Sequence, residues 1–169
     1  MSERKRIYKP GGTYFITSAT HRRKSYFTSK KPARLVVNQF YHYEDEIGFQ
    51  IVAFTVQPDH YHLLLTTTQN ANISQIIHRI NSYSSTALNN HLNNESKEKI
   101  WQGKPWTELI RNEDMFWQKV AYILLNPWRA GLVENPLEEY HSSNLDEWKE
   151  TKGKDFLLDL FSQFGRGFE

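Results

Sequence analysis

Residues 13–20, TYFITSAT, alternate Tyr14, Ile16 and Ser18 against Phe15, Thr17 and Ala19, and most of them are β-branched or aromatic. The pattern predicts a strand entered through a turn at Gly11-Gly12. Pro32 then stands where a helix can begin, since the missing N–H of a proline costs nothing in a first turn. Leu35, Val36, Phe40, Tyr43 and Ile47 follow at helical spacing, and Gly48 supplies a left-handed stop. FQIVAFTV at 49–56 and HYHLLLT at 60–66 predict two further strands, joined by Gln57-Pro58-Asp59 into a hairpin. From Asn72 as a cap, Ile73, Ile76, Ile77, Ile80, Tyr83, Ala87 and Leu88 mark one face of a long helix. A polar loop at 93–99 leads to a short strand near Glu108–Arg111.

The resulting order, β-α-β-β-α-β, is that of a ferredoxin-like or RRM-like α+β fold: a four-stranded antiparallel sheet with two helices on one face. A third helix is expected from Glu113 to about Asn126, with Phe116, Val120, Ile123 and Leu124 as its apolar side and Pro127 limiting its extent. It would lie on or near the other face of the sheet. The tail is acidic from Glu134 to Asp159 and ends in DFLLDLFSQF, whose Phe156, Leu157, Leu160, Phe161 and Phe164 form a short amphipathic turn that docks on the body. We therefore divide the chain into a main domain at 1–136, with a basic N-terminal arm, and an acidic C-terminal appendage with a short helix at 137–169.

With 38% hydrophobic and 14% aromatic residues among its 169, the chain can bury a core. No segment is apolar over the length of a membrane span, and residues 1–12 are polar and basic rather than signal-like, so a cytoplasmic protein is expected. The absence of cysteine rules out disulfides and thiolate metal sites, leaving His, carboxylate and amide groups as ligands. The net charge of +2 conceals a division. Ten bases and one acid give residues 1–34 a charge of +9, while the remainder carries −7. That polarity suits a polyanion on one face, or a solvated basic arm, without naming either.

His60 and His62 stand two apart in a predicted strand, so both imidazoles share a face while Tyr61, Leu63 and Leu65 point to the helices. Two neutral imidazoles on one face can share a divalent ion, although two solvent-facing histidines would give the same spacing. On the third helix Tyr122 and Asn126 are four apart and stack on one side. Asn126 can offer an amide oxygen to a metal, and a tyrosine phenol is a usable nucleophile toward phosphorus. The alternative is a core tyrosine and an asparagine that caps the helix before Pro127.

The motifs, taken together, resemble a known family. GGTYFIT at 11–17, PDHYHLLL at 58–65, ISQIIHRINSYSSTALNNH at 73–91, IWQGKPW at 100–106, IRNED at 110–114, YILLNPWRAGLVENP at 122–136 and YHSSN at 140–144 follow one another in the order of the HUH single-tyrosine transposases. Within these the chain looks most like the REP-associated tyrosine transposases. The resemblance implies that His60 and His62 are the paired histidines, Tyr122 the nucleophile and Asn126 the third metal-facing group, with Mg²⁺ or Mn²⁺ as the ion. It also implies attack on single-stranded or hairpin DNA through a 5′-phosphotyrosine link, by a monomer or a homodimer. Arg4, Lys5, Arg6 and the run Arg22, Arg23, Lys24 are candidates for holding the DNA. Two competing readings are a hairpin-binding domain of the same fold without activity and a metallohydrolase in which Tyr122 is a bystander.

Overall fold

The computed structural model describes residues 8–166. Four strands, β1 (Thr13–Ala19), β2 (Gln50–Gln57), β3 (His60–Thr66) and β4 (Trp106–Leu109), form one antiparallel sheet in the order β2-β3-β1-β4. Helix α1 (Lys30–Tyr43) connects β1 to β2, and α2 (Ile73–His91) connects β3 to β4. This is the predicted ferredoxin-like arrangement. Beyond the sheet come α3 (Glu113–Arg129), α4 (Leu145–Lys152) and α5 (Lys154–Phe164).

Strand alternation sorts the side chains into two cores. Tyr14, Ile16, Phe54, Val56, Tyr61, Leu63 and Leu65 meet Val36, Val37, Phe40 and Tyr43 of α1 and Ile73, Ile76, Ile77, Ile80 and Leu88 of α2. On the opposite face Phe15, Ala53 and Leu64 meet Val120, Ala121, Ile123, Leu124 and Leu125 of α3. Leu145, Leu157, Leu160 and Phe161 complete this second core, so the acidic C-terminal segment supplies a third of its buried residues.

Several boundaries differ from expectation. α1 begins at Lys30 rather than Pro32, and its last turn widens into a π-type turn at Glu44–Gly48, where Gly48 takes a φ of 81°. β4 lies at 106–109 instead of 108–111 because its register is dictated by β1, with Tyr14 opposite Leu109 and Thr17 opposite Trp106. α3 runs through Pro127 to Arg129; the proline removes one amide donor, while the Ala130 and Gly131 amides still reach the carbonyls of Asn126 and Trp128. The tail holds two helices where one short turn was expected.

Residues 142–144 run along the otherwise free edge of β2. The Val56 amide donates to Ser142 O at 2.8 Å, the Phe54 amide donates to Asn144 Oδ1 at 2.9 Å, and Thr55 bridges to Ser143. The Asn144 amide nitrogen and the Trp148 indole both donate to Val52 O. An exposed strand edge is a template for pairing with other chains, and here it is covered.

Candidate active site on the α3 face of the sheet

β3 turns His60 and His62 to the α3 side, as period-two alternation requires, and the two rings lie 4.8 Å apart between centroids. Their strand neighbours on the same face are Thr55 and Gln57 of β2 and Thr17 and Ala19 of β1. α3 is held across this face by its apolar side and by a well-made start. Asn112 accepts from the Met115 amide at 2.8 Å, and Glu113 and Asp114 sit in the first turn where the helix dipole favours acids.

Tyr122 projects from α3 with its ring centroid 5.2 Å from that of His62, edge to face. It is 39% exposed, so the phenol is not locked into the apolar interior. Phe15 sits beneath the group: it stacks on His62 at 5.4 Å, meets Tyr122 edge-on at 6.0 Å, and carries Lys119 Nζ 4.2 Å above its centroid. Lys119 also pairs with Glu108 of β4 at 2.8 Å.

Each histidine is oriented through Nδ1. Asp59 Oδ1 accepts from His60 Nδ1 at 2.7 Å, and the other oxygen of Asp59 holds Arg23 Nε at 2.9 Å. His62 Nδ1 lies 2.8 Å from Thr17 Oγ1. With Nδ1 as the donor in both contacts, the Nε2 lone pairs remain free, the arrangement by which an outer hydrogen bond fixes the tautomer of a metal-ligating histidine. Burial pulls the pKa of His62 down to about 3, and the neighbouring His60, Lys119 and Arg23 push the same way, so the ring is neutral at physiological pH. A neutral ring is the form that binds metal.

Asn126 follows Tyr122 by one turn, half-buried, and its Nδ2 is shut away from water without a hydrogen-bond partner. An amide with no commitment on that side can present oxygen or nitrogen there without breaking an existing bond. Among the described residues no cluster of three or more His, Asp or Glu forms a metal site. The donor set of two imidazoles and an amide suits a small divalent cation.

The basic candidates divide. Arg4, Lys5 and Arg6 lie outside the described residues. Arg22 and Arg23 occupy a turn after β1, both at a φ of 56°, a left-handed conformation that branched side chains seldom adopt. Arg22 is exposed, Arg23 is committed to Asp59, and Lys24 pairs with Glu98 at 3.0 Å. The structure thus brings together His60, His62 and Tyr122, sets Asn126 one helical turn beyond Tyr122, and ties Arg23 to the same cluster through Asp59. Sequence reasoning did not single out Asp59, Thr17, Phe15 or Lys119 as site residues. Asp59 sits next to His60 and was legible as a partner; the other three reach the site only through strand register and helix placement.

The sheet, the histidine pair and the tyrosine helix together define a class, and comparison with known proteins agrees. The family described as "Transposase IS200 like" matches residues 10–109. A Haemophilus influenzae protein bearing the name REP-associated tyrosine transposase is 32% identical over 150 residues, which cover 79% of this chain and 80% of that protein. The REP-associated tyrosine transposase of Escherichia coli K12 is 28% identical over 146 residues, covering 83% and 84%. A solved REP-associated tyrosine transposase bound to a REP hairpin superposes with a TM-score of 0.75 at 24% identity, covering 91% of this chain and 88% of that one. The chain belongs to the IS200-like transposase family, and within it to the REP-associated tyrosine transposases. None of its described helices is long and apolar enough to cross a membrane.

Proposed function

We propose that the protein cleaves and rejoins single-stranded hairpin DNA, with Tyr122 as nucleophile and His60, His62 and Asn126 as the groups that hold a divalent metal. The observation that carries this reading is the 5.2 Å approach of the Tyr122 ring to His62 on a half-open face. The phenol oxygen of Tyr122 bonds to phosphorus as the bond from phosphorus to the 3′ oxygen breaks. The phenol proton is lost and the departing 3′ oxygen gains one. One phosphodiester is exchanged for a 5′-phosphotyrosine diester, so the step is reversible without an external energy source. Mg²⁺ or Mn²⁺, when bound, supplies Lewis-acid polarisation of the phosphate.

The chain's own residues prepare that chemistry. Asp59 and Thr17 hold the two imidazoles in one orientation, and Phe15 sets the angle between His62 and Tyr122. The relative solved with a REP hairpin supports DNA hairpins as the substrate class. The exposed Arg22 and the basic residues ahead of β1 are the groups for its backbone, and binding through them weakens steeply with salt.

Incubation with labelled hairpin DNA and Mn²⁺, followed by denaturing electrophoresis, tests the reading. A covalent protein–DNA band is expected from the native protein and none from Tyr122→Phe, a loss of at least about 10⁴-fold. His60→Ala should abolish the band while hairpin affinity stays near native. Cleavage that survives Tyr122→Phe would instead assign the attack to water.

A further inference from the structure

Lys119 is placed where neither the metal ligands nor the nucleophile accounts for it. It stands one turn ahead of Tyr122 on α3, and residues three apart on a helix share a face. Its Nζ lies 4.2 Å above the Phe15 ring, the same ring that touches both His62 and Tyr122. Glu108, directly opposite Phe15 on β4, holds the ammonium at 2.8 Å from the outer side.

We propose that Lys119 is a catalytic residue that binds a non-bridging oxygen of the scissile phosphate and that Glu108 holds it in readiness until DNA arrives. This rests on the nicking reading above. The alternative is an ordinary structural ion pair, and three observations weigh against it. Both partners are partly open to water, at 24% and 33% side-chain exposure, where such a pair adds little to the stability of a fold. A stability role would not require the ammonium to sit over the one ring that carries the reacting groups. The other cation near the pair, Arg23, has its Nε committed to Asp59, the carboxylate that orients His60, so its release would disturb that histidine. Glu108 supports no other site residue in this way. Exchanging the Glu108 carboxylate for a phosphate oxygen keeps Lys119 paired throughout.

The ion pair and the catalytic role make opposite predictions for its two ends. Single-turnover adduct formation is measured on saturating hairpin DNA with Mn²⁺ for the native protein, Lys119→Met, Lys119→Arg and Glu108→Gln. Lys119→Met is expected to slow the rate about 100- to 1,000-fold, the range for losing one preorganised group on a developing charge. Lys119→Arg should stay within about 5-fold of native, since a guanidinium also binds phosphate. Glu108→Gln should be about 2- to 5-fold faster, because the carboxylate no longer competes for the ammonium. Hairpin affinity and melting temperature are read alongside. Equal slowing by Lys119→Met and Glu108→Gln would show a structural pair and overturn the proposal, as would a native rate in Lys119→Met. Because Glu108→Gln breaks the same pair, it decides the matter even if Lys119→Met folds poorly. A native protein that forms no Tyr122-dependent adduct would sink the nicking reading itself, a result distinct from either of these.

Discussion

The two faces of the sheet are built on the same strands yet serve different ends. Toward α1 and α2 most inward side chains are apolar, and the central polar groups are tied together: Tyr61 donates its hydroxyl to Asn81 Oδ1 at 2.9 Å, and Asn81 Nδ2 donates to Ser18 Oγ at 3.0 Å. Toward α3 the apolar part is confined to one end, around Phe15, Ala53 and Leu64, while the other end carries His60, His62, Thr55 and Gln57. Thr55 Oγ1, Gln57 Nε2 and Asn126 Nδ2 are buried on this second side with no partner. Buried polar atoms are almost always satisfied, and two of these, Thr55 Oγ1 and Gln57 Nε2, lie directly across β2 from the histidine pair, whereas the α1/α2 side has one such atom, Thr107 Oγ1, opposite Ile16. The comparison teaches that one face is almost wholly packed and paired within the protein, while the other leaves polar groups uncommitted around the proposed site.

Five substitutions and one change of pH test that contrast. If both faces hold the fold, Phe40→Ala and Phe161→Ala each lower unfolding stability in urea by about 3–5 kcal/mol. An effect at Phe161 below about 1 kcal/mol would show that the α3–α5 side is not a true core. The next effect is on pH. In the metal-free protein His62 takes up its proton only near pH 3, whereas in the unfolded chain it does so near 6.5. The unfolded state therefore holds more protons between these values, and stability rises with pH across that window. It is lost as pH falls from about 6.5 toward 3, by on the order of a few kcal/mol, and His62→Gln should flatten the slope in acid titrations followed by circular dichroism.

Asp59→Asn should slow adduct formation about 10- to 100-fold, the usual cost of losing a partner that orients a metal-bound histidine. A native rate in that variant would mean that His60 is held by something other than its carboxylate neighbour. The smallest effect is expected at Thr55→Val, which removes an unsatisfied buried hydroxyl and should raise stability by up to about 1 kcal/mol. Destabilisation there would reveal a hidden partner for Thr55 and weaken the claim that this side is left open.

Much of this was readable before coordinates. Strong local signals located β1, β2, β3, α1 and α2, because alternation and 3.6-residue spacing are properties of contiguous residues. The position of β4 was two residues off, since a four-residue strand takes its register from β1 and not from its own pattern. α4 went unseen because LDEWKETK offers only Leu145 and Trp148 to the interior amid charges. The paired histidines and the Tyr122–Asn126 spacing were legible for the same reason as the strands. The parts that join them were not: Phe15 and Lys119 enter the site from β1 and α3, more than a hundred residues apart in the chain.

The strip at 142–144 has a consequence for how the chain can be shortened. A protein ended near residue 136 would lose Leu145, Leu157, Leu160 and Phe161 from beneath α3 and would also bare the hydrogen-bonding groups of β2. Such a fragment would carry every group proposed to act in catalysis and still be a poor enzyme. It would offer a sticky ribbon to its own copies and leave the tyrosine helix with little to rest on.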